Sequence, residues 1–169
     1  MKKILTGLFR EVFNREYDPD SRDDHILIQK VTYFMTNRGL NLGQFWFSWD
    51  KNGPFSLDLR NAVLDEVRIH ECEPFEYSTY ARKQIDMNRT ILAEGAKLEL
   101  TDVFWFELIC SLHFLKKYVV VGGDEAVIQK LVDEKPQFSN KNVNTRALQI
   151  VKTIESMGYL DGADTDYET

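Results

Sequence analysis

Apolar residues recur along most of this chain at intervals of three and four, the spacing of helices that bury one face. In the opening segment Ile4, Leu5, Leu8, Phe9, Val12 and Phe13 share a side, while Lys3, Arg10 and Glu11 take the other. The pattern predicts an amphipathic helix that stops near Tyr17-Asp18-Pro19-Asp20, where proline and the aspartates favour a turn. Ser21 then precedes Asp24 at capping-box spacing, with Asp in place of the usual Glu or Gln. A second helix follows, with Leu27, Val31, Phe34 and Met35 inward, and Asn37-Arg38-Gly39 ends it.

The period then changes. In Gln44-Phe45-Trp46-Phe47-Ser48-Trp49 the set Phe45, Phe47 and Trp49 alternates with Trp46 and Ser48, which predicts a short strand with one strongly aromatic face. Asp50-Lys51-Asn52-Gly53-Pro54 breaks it, and Ser56 stands as the N-cap of a third helix carrying Leu59, Ala62, Val63 and Val67. With Phe45, Phe47 and Trp49 assigned to the core, Trp46 falls on the other face, beside Asn52, Gly53, Pro54 and Phe55. Two readings of Trp46 stay open, a second layer of core or a displayed interface.

Helical spacing resumes from about Ala81 to Ala93, with Gly95 as its stop. Thr101 caps a segment from Val103 to Leu115 that has almost no polar face, so this helix is expected at the centre of the fold. Val119-Val120-Val121-Gly122-Gly123 leads to the acidic helix start Asp124-Glu125, and Pro136 closes that element. The last helix carries Val143, Ala147, Ile150, Val151, Ile154 and Met157, with Gly158 at its C′ position. The expected fold is mainly α, of α+β type: six to seven helices with a short aromatic strand or hairpin between the second and third. Residues 1–160 are read as one domain and 161–169 as an acidic, flexible tail.

Composition narrows the function classes. The 169 residues carry a net charge of −6, and Asp161, Asp164, Asp166 and Glu168 supply four of those charges. The remaining body is close to neutral, without the basic excess that phosphate neutralisation demands of a strong nucleic-acid binder. Two cysteines, Cys72 and Cys110, fit a reduced cytoplasmic compartment. The first apolar stretch is broken by Arg10 and Glu11 and lacks a cleavage pattern, and no uncharged run approaches bilayer length, so neither a signal peptide nor a membrane span is expected.

Candidate chemistry is sparse. Glu107, Cys110 and His113 share part of a helix face, but in the most apolar helix of the chain, where a packed thiol and a hydrogen-bonded histidine are the simpler reading. His70-Glu71-Cys72 has no partner at metal-ligand spacing. Gly122-Gly123 lacks both phosphate-loop patterns, and Asp124-Glu125 takes the helix end a phosphate would need. No catalytic residue, metal ligand or cofactor is expected. The helices around Pro136 form the alternative reading, a helix-turn-helix regulator presenting Lys141, Arg146 and Lys152 to nucleic acid.

The ordered set Ile28-Gln29-Lys30-Val31-Thr32-Tyr33-Phe34, Gly39, Phe45 to Trp49, Gly53-Pro54-Phe55-Ser56 and Leu59 resembles the pattern of SocA-like Panacea antitoxins and of a related group of small bacterial proteins. Trp105 to Ile109 and Lys135 to Ser139 are closer to the second group, and Thr32 stands where the pattern has an aliphatic residue. The resemblance spans about residues 20 to 160. It implies a non-enzymatic domain that binds a toxin, encoded by a neighbouring gene, and neutralises it or presents it to a protease. Tyr33, Trp46, Asn52, Gly53, Pro54 and Phe55 are the candidate partner-binding residues.

Overall fold

A computed structural model describes residues 1–157; the expected C′ glycine, Gly158, and the acidic segment 161–169 lie outside the described residues. Within them the chain forms seven α-helices: α1 (Ile4–Phe13), α2 (Arg22–Asn37), α3 (Leu57–Val67), α4 (Thr79–Lys97), α5 (Asp102–Phe114), α6 (Asp124–Glu134) and α7 (Lys141–Ser156). A two-stranded antiparallel hairpin, β1 (Ser48–Asp50) and β2 (Gly53–Phe55), lies between α2 and α3, as the change of period predicts. A π-helical turn, Leu115–Val119, extends α5.

The centre of the fold is α5. Trp105, Phe106, Leu108, Ile109, Cys110 and Leu112 are fully buried, and the helix packs against α2 on one side and α7 on another. One continuous cluster of buried side chains runs from Leu5 in α1 to Ile154 in α7. An all-round apolar helix is stable only with neighbours on every side, and the amphipathic helices supply them.

Local rules set several helix starts. The side chains of Ser21, Ser56 and Thr101 accept from the backbone N–H of Asp24, Leu59 and Phe104 respectively. Only half of the capping box at Ser21 forms, because the Asp24 carboxylate turns away to Arg15 (2.6 and 2.7 Å) and to the Asp18 N–H. Burial alone would raise the Asp24 pKa, but those hydrogen bonds outweigh it and hold the carboxylate below its ordinary value. The start of α1 has no cap of its own; Glu66, near the end of α3, accepts from the N–H groups of Leu5 and Thr6 and from the Thr6 hydroxyl.

Three boundaries depart from the sequence reading. Helix α1 stops at Phe13, ahead of the Asp-Pro turn, because Asn14 adopts a left-handed conformation (φ 53°) and donates its N–H to Arg10. Gly95 does not stop α4. It is buried inside that helix, where a Cβ would stand 2.4 Å from Cδ1 of Trp105, so the glycine makes room for the indole. The aromatic strand is shorter than predicted: only Ser48–Asp50 pairs, and Gly53-Pro54 forms its partner strand instead of merely breaking it.

Candidate functional site

The hairpin turns through Lys51 and Asn52, which keep negative φ, and Gly53 follows at φ +86°. That sequence of conformations returns a strand on itself with a left-handed residue after the turn, a position suited to glycine. Gly53 also lies close to α5, where a Cβ would come within 2.7 Å of the Ser111 hydroxyl. Both the backbone angle and the contact exclude a side chain here.

Two neighbouring residues of α2 fix the second strand. The Gln29 amide accepts from the Ser56 N–H and donates to the Ser56 carbonyl, each at 2.9 Å. The Lys30 ammonium donates to the Pro54 carbonyl at 2.8 Å. On the other strand, the buried Lys135 ammonium donates to the carbonyls of Asp50 and Lys51, pairs with Glu107 at 3.3 Å, and lies 5.1 Å from the centre of the Trp49 ring. The QK and GPFS parts of the motif are therefore two halves of one latch. Their spacing in the sequence reflects contact between a helix and a hairpin.

The alternation read from the sequence holds along this segment. Phe45, Phe47 and Trp49 pack against the core, with Phe47 set edge-on to Tyr33 (5.2 Å between centroids) and Trp49 5.7 Å from Phe114. Trp46 points away and is 82% exposed, so no second layer covers it among the described residues. The remaining candidate residues divide by burial. Asn52 and Phe55 are partly exposed beside the turn, whereas Gly53 and Pro54 are buried and contribute shape. Tyr33 is fully buried, and its hydroxyl lies 2.6 Å from His113 Nδ1. It sits beneath the hairpin, out of reach of any partner at the surface. Burial raises the Tyr33 pKa and pushes His113 down to about 4, so both are neutral at pH 7.

A cleft of about 590 Å³ opens beside the hairpin turn, between α2, α3 and the Tyr17–Pro19 loop. Arg22, Lys30, Lys51 and Arg60 line it, with Asp50 as the one carboxylate. Sequence reasoning missed this grouping. A signal was nonetheless present, since Arg22 and Arg60 fall in the first turns of α2 and α3, where the helix dipole disfavours a cation.

The other candidate chemistry separates in space. Glu107 pairs with Lys135, the Cys110 thiol lies 3.6 Å from the Lys30 carbonyl, and His113 meets Tyr33. Burial raises the Cys110 pKa well above its ordinary value, the reverse of nucleophile activation. Among the described residues no group of His, Cys, Asp and Glu side chains could hold a metal ion, and no helix is long and apolar enough to cross a membrane. Of the three bases expected to face nucleic acid, Arg146 pairs with Glu94 (2.7 Å) and Lys152 with Asp124 (2.9 Å). Comparison of the chain with protein-family models, curated proteins and solved structures finds no match.

Proposed function

We propose that this protein is a non-enzymatic, antitoxin-like binding module whose hairpin face docks a partner protein, in a toxin–antitoxin or phage-defence setting. The observation that carries the reading is Trp46, a large aromatic left 82% exposed in the segment that leads into a hairpin held from beneath by Gln29, Lys30 and Lys135. A displayed tryptophan buries much area on contact and loses little rotamer freedom, which is the character of an interface hot spot. The motif resemblance supports the same reading. Tyr33, Gly53 and Pro54 act by shaping the hairpin, and Trp46, Asn52 and Phe55 supply its reachable surface.

The test is co-expression with each neighbouring gene followed by affinity purification. A stable complex with one neighbour is expected, and recovery of the free protein with every neighbour would refute the reading. Trp46→Ala should leave the melting midpoint of the free protein nearly unchanged while weakening the complex by about 2 kcal/mol or more. Phe47→Ala is the control, because it removes a ring packed on Tyr33 and should lower the midpoint whether or not a partner is present.

A further inference from the structure

The cleft beside the hairpin turn is distinct from the Trp46 face in its chemistry. Four cations and one carboxylate line it, in a protein whose net charge is −6. Arg22, Lys51 and Arg60 are exposed at its rim and form no ion pair among the described residues. Other surface cations of this chain are neutralised by pairing, as Arg10, Arg89, Lys97 and Lys130 are, whereas Lys2, Arg82, Lys83 and Lys141 form no ion pair among the described residues; the rim differs from the latter in gathering three around one cleft. Here the rim is left uncompensated.

Lys30 adds a buried charge. It is 1% exposed, and among the described residues its ammonium has one hydrogen-bond acceptor, the Pro54 carbonyl. Its charged neighbours in the interior are Glu107, Lys135 and Asp50, and Glu107 is already paired with Lys135. Desolvation is the largest influence on Lys30 and lowers its pKa to about 8, so it is still mainly an ammonium at pH 7. A desolvated cation with donors to spare gains strongly from a neighbouring anion, because the low dielectric magnifies the attraction.

We propose that this cleft binds a small phosphorylated ligand of nucleotide size. Guanidinium forks from two helices match phosphate oxygens, and the excess of three positive charges suits a group that carries more than one negative charge. The volume of about 590 Å³ lies within the range of small-molecule sites and far exceeds one phosphate. Phe55, partly exposed, lines the same space and supplies an aromatic side chain on which a base can stack.

The experiment is calorimetric titration of the full chain with AMP, ADP, inorganic pyrophosphate and adenosine. AMP and ADP should bind with submillimolar affinity, pyrophosphate more weakly, and adenosine not at all. Arg22→Glu and Arg60→Glu each reverse an exposed charge without touching the core, so both should fold as the parent does and weaken AMP binding by about tenfold or more. Lys83→Glu, on the distant α4 surface, should bind AMP as the parent does. The proposal is overturned if none of the phosphates binds at millimolar concentration. It is equally overturned if both rim reversals leave AMP affinity unchanged, if Lys83→Glu weakens AMP as much as they do, or if an oligoglutamate peptide binds the cleft while AMP and pyrophosphate do not. Partner capture through Trp46 is read by a separate assay, so either idea can fail alone.

Discussion

Replacing Gln29 by methionine tests whether the motif is a latch. The substitution keeps side-chain length and approximate volume but deletes both the donor and the acceptor that serve Ser56. Ser56 is 1% exposed, so its N–H would lose its partner at 2.9 Å and stay largely out of water, while its carbonyl would keep the Arg60 N–H at 3.2 Å. An unmade buried hydrogen bond costs about 1–3 kcal/mol, and here one donor is left without a partner. Gln29 borders the cleft, from which water can reach the vacated N–H, and the expected loss is about 1–3 kcal/mol. For a chain of this size that corresponds to a fall in midpoint of about 2–12 °C. Urea denaturation gives the free energy, and hydrogen exchange at the Ser56 amide gives the location. The amide should be protected in the parent and exchange rapidly in the variant. Unfolding free energies within about 0.5 kcal/mol, together with a Ser56 amide that remains protected, would refute the latch.

Gly53→Ala forces a side chain into φ +86° and into the Ser111 hydroxyl, so chemical denaturation should show a loss of about 2–4 kcal/mol. Gly95→Ala should also destabilise, by about 1–3 kcal/mol in the same assay, although alanine is the better helix former; a more stable variant would show that the Trp105 contact is soft. His113 gives a pH dependence. Its folded pKa of about 4 lies below the ordinary 6.5, so the unfolded chain takes up the proton first as pH falls. The stability contributed by neutral His113 is fully present above pH 6.5 and declines as pH falls toward 4, by about 3 kcal/mol in all. Denaturation midpoints at pH 7 and 4.5 should show it, with a shallower dependence in His113→Gln.

Features set by local sequence were legible. The run from Val103 to Leu115 announced a central helix because no face was polar, and Ser21, Ser56 and Thr101 announced helix starts because a short hydroxyl side chain reaches only nearby N–H groups. Alternation sets Trp46 on the face opposite Phe47, but whether a second layer covers that face is a matter of distant contacts that alternation does not reach. What was lost depended on contacts between distant residues. Gly95 reads as a breaker by propensity, and only Trp105 packed against it explains a glycine inside a helix. Glu66 caps a helix that begins sixty residues earlier. The motif resemblance marks Tyr33 as a candidate partner-binding residue, yet its hydroxyl is satisfied internally by His113, eighty positions away. The cationic cleft gathers Arg22, Lys51 and Arg60 from three elements, and their spacing along the chain carries no common period.

The manner in which the hairpin is held bears on what it is for. A two-stranded hairpin is marginal by itself and needs packing beneath it. Phe47, Trp49 and Pro54 provide an apolar underside, which alone meets that need. The two buried ammoniums do something apolar packing cannot: Lys30 and Lys135 grip backbone carbonyls on opposite strands and fix the position of the turn as well as its burial. Burying a lysine is costly, and the depressed pKa of Lys30 expresses that cost; an apolar replacement of similar volume is often as stable or more so. Stability alone therefore gives little reason for two ammoniums at this place. Geometry gives one, because a fixed turn presents Asn52 and Phe55 without the ordering penalty that a loose loop pays on binding. Charge gives another, since the same Lys30 that grips Pro54 also forms part of the cationic cleft lining. Occupation of the cleft by an anion would then act on the residue that positions the hairpin, and the affinity of the hairpin face for its partner should differ between the ligand-free and the AMP-saturated protein, a coupling that titrating the partner with and without AMP measures directly.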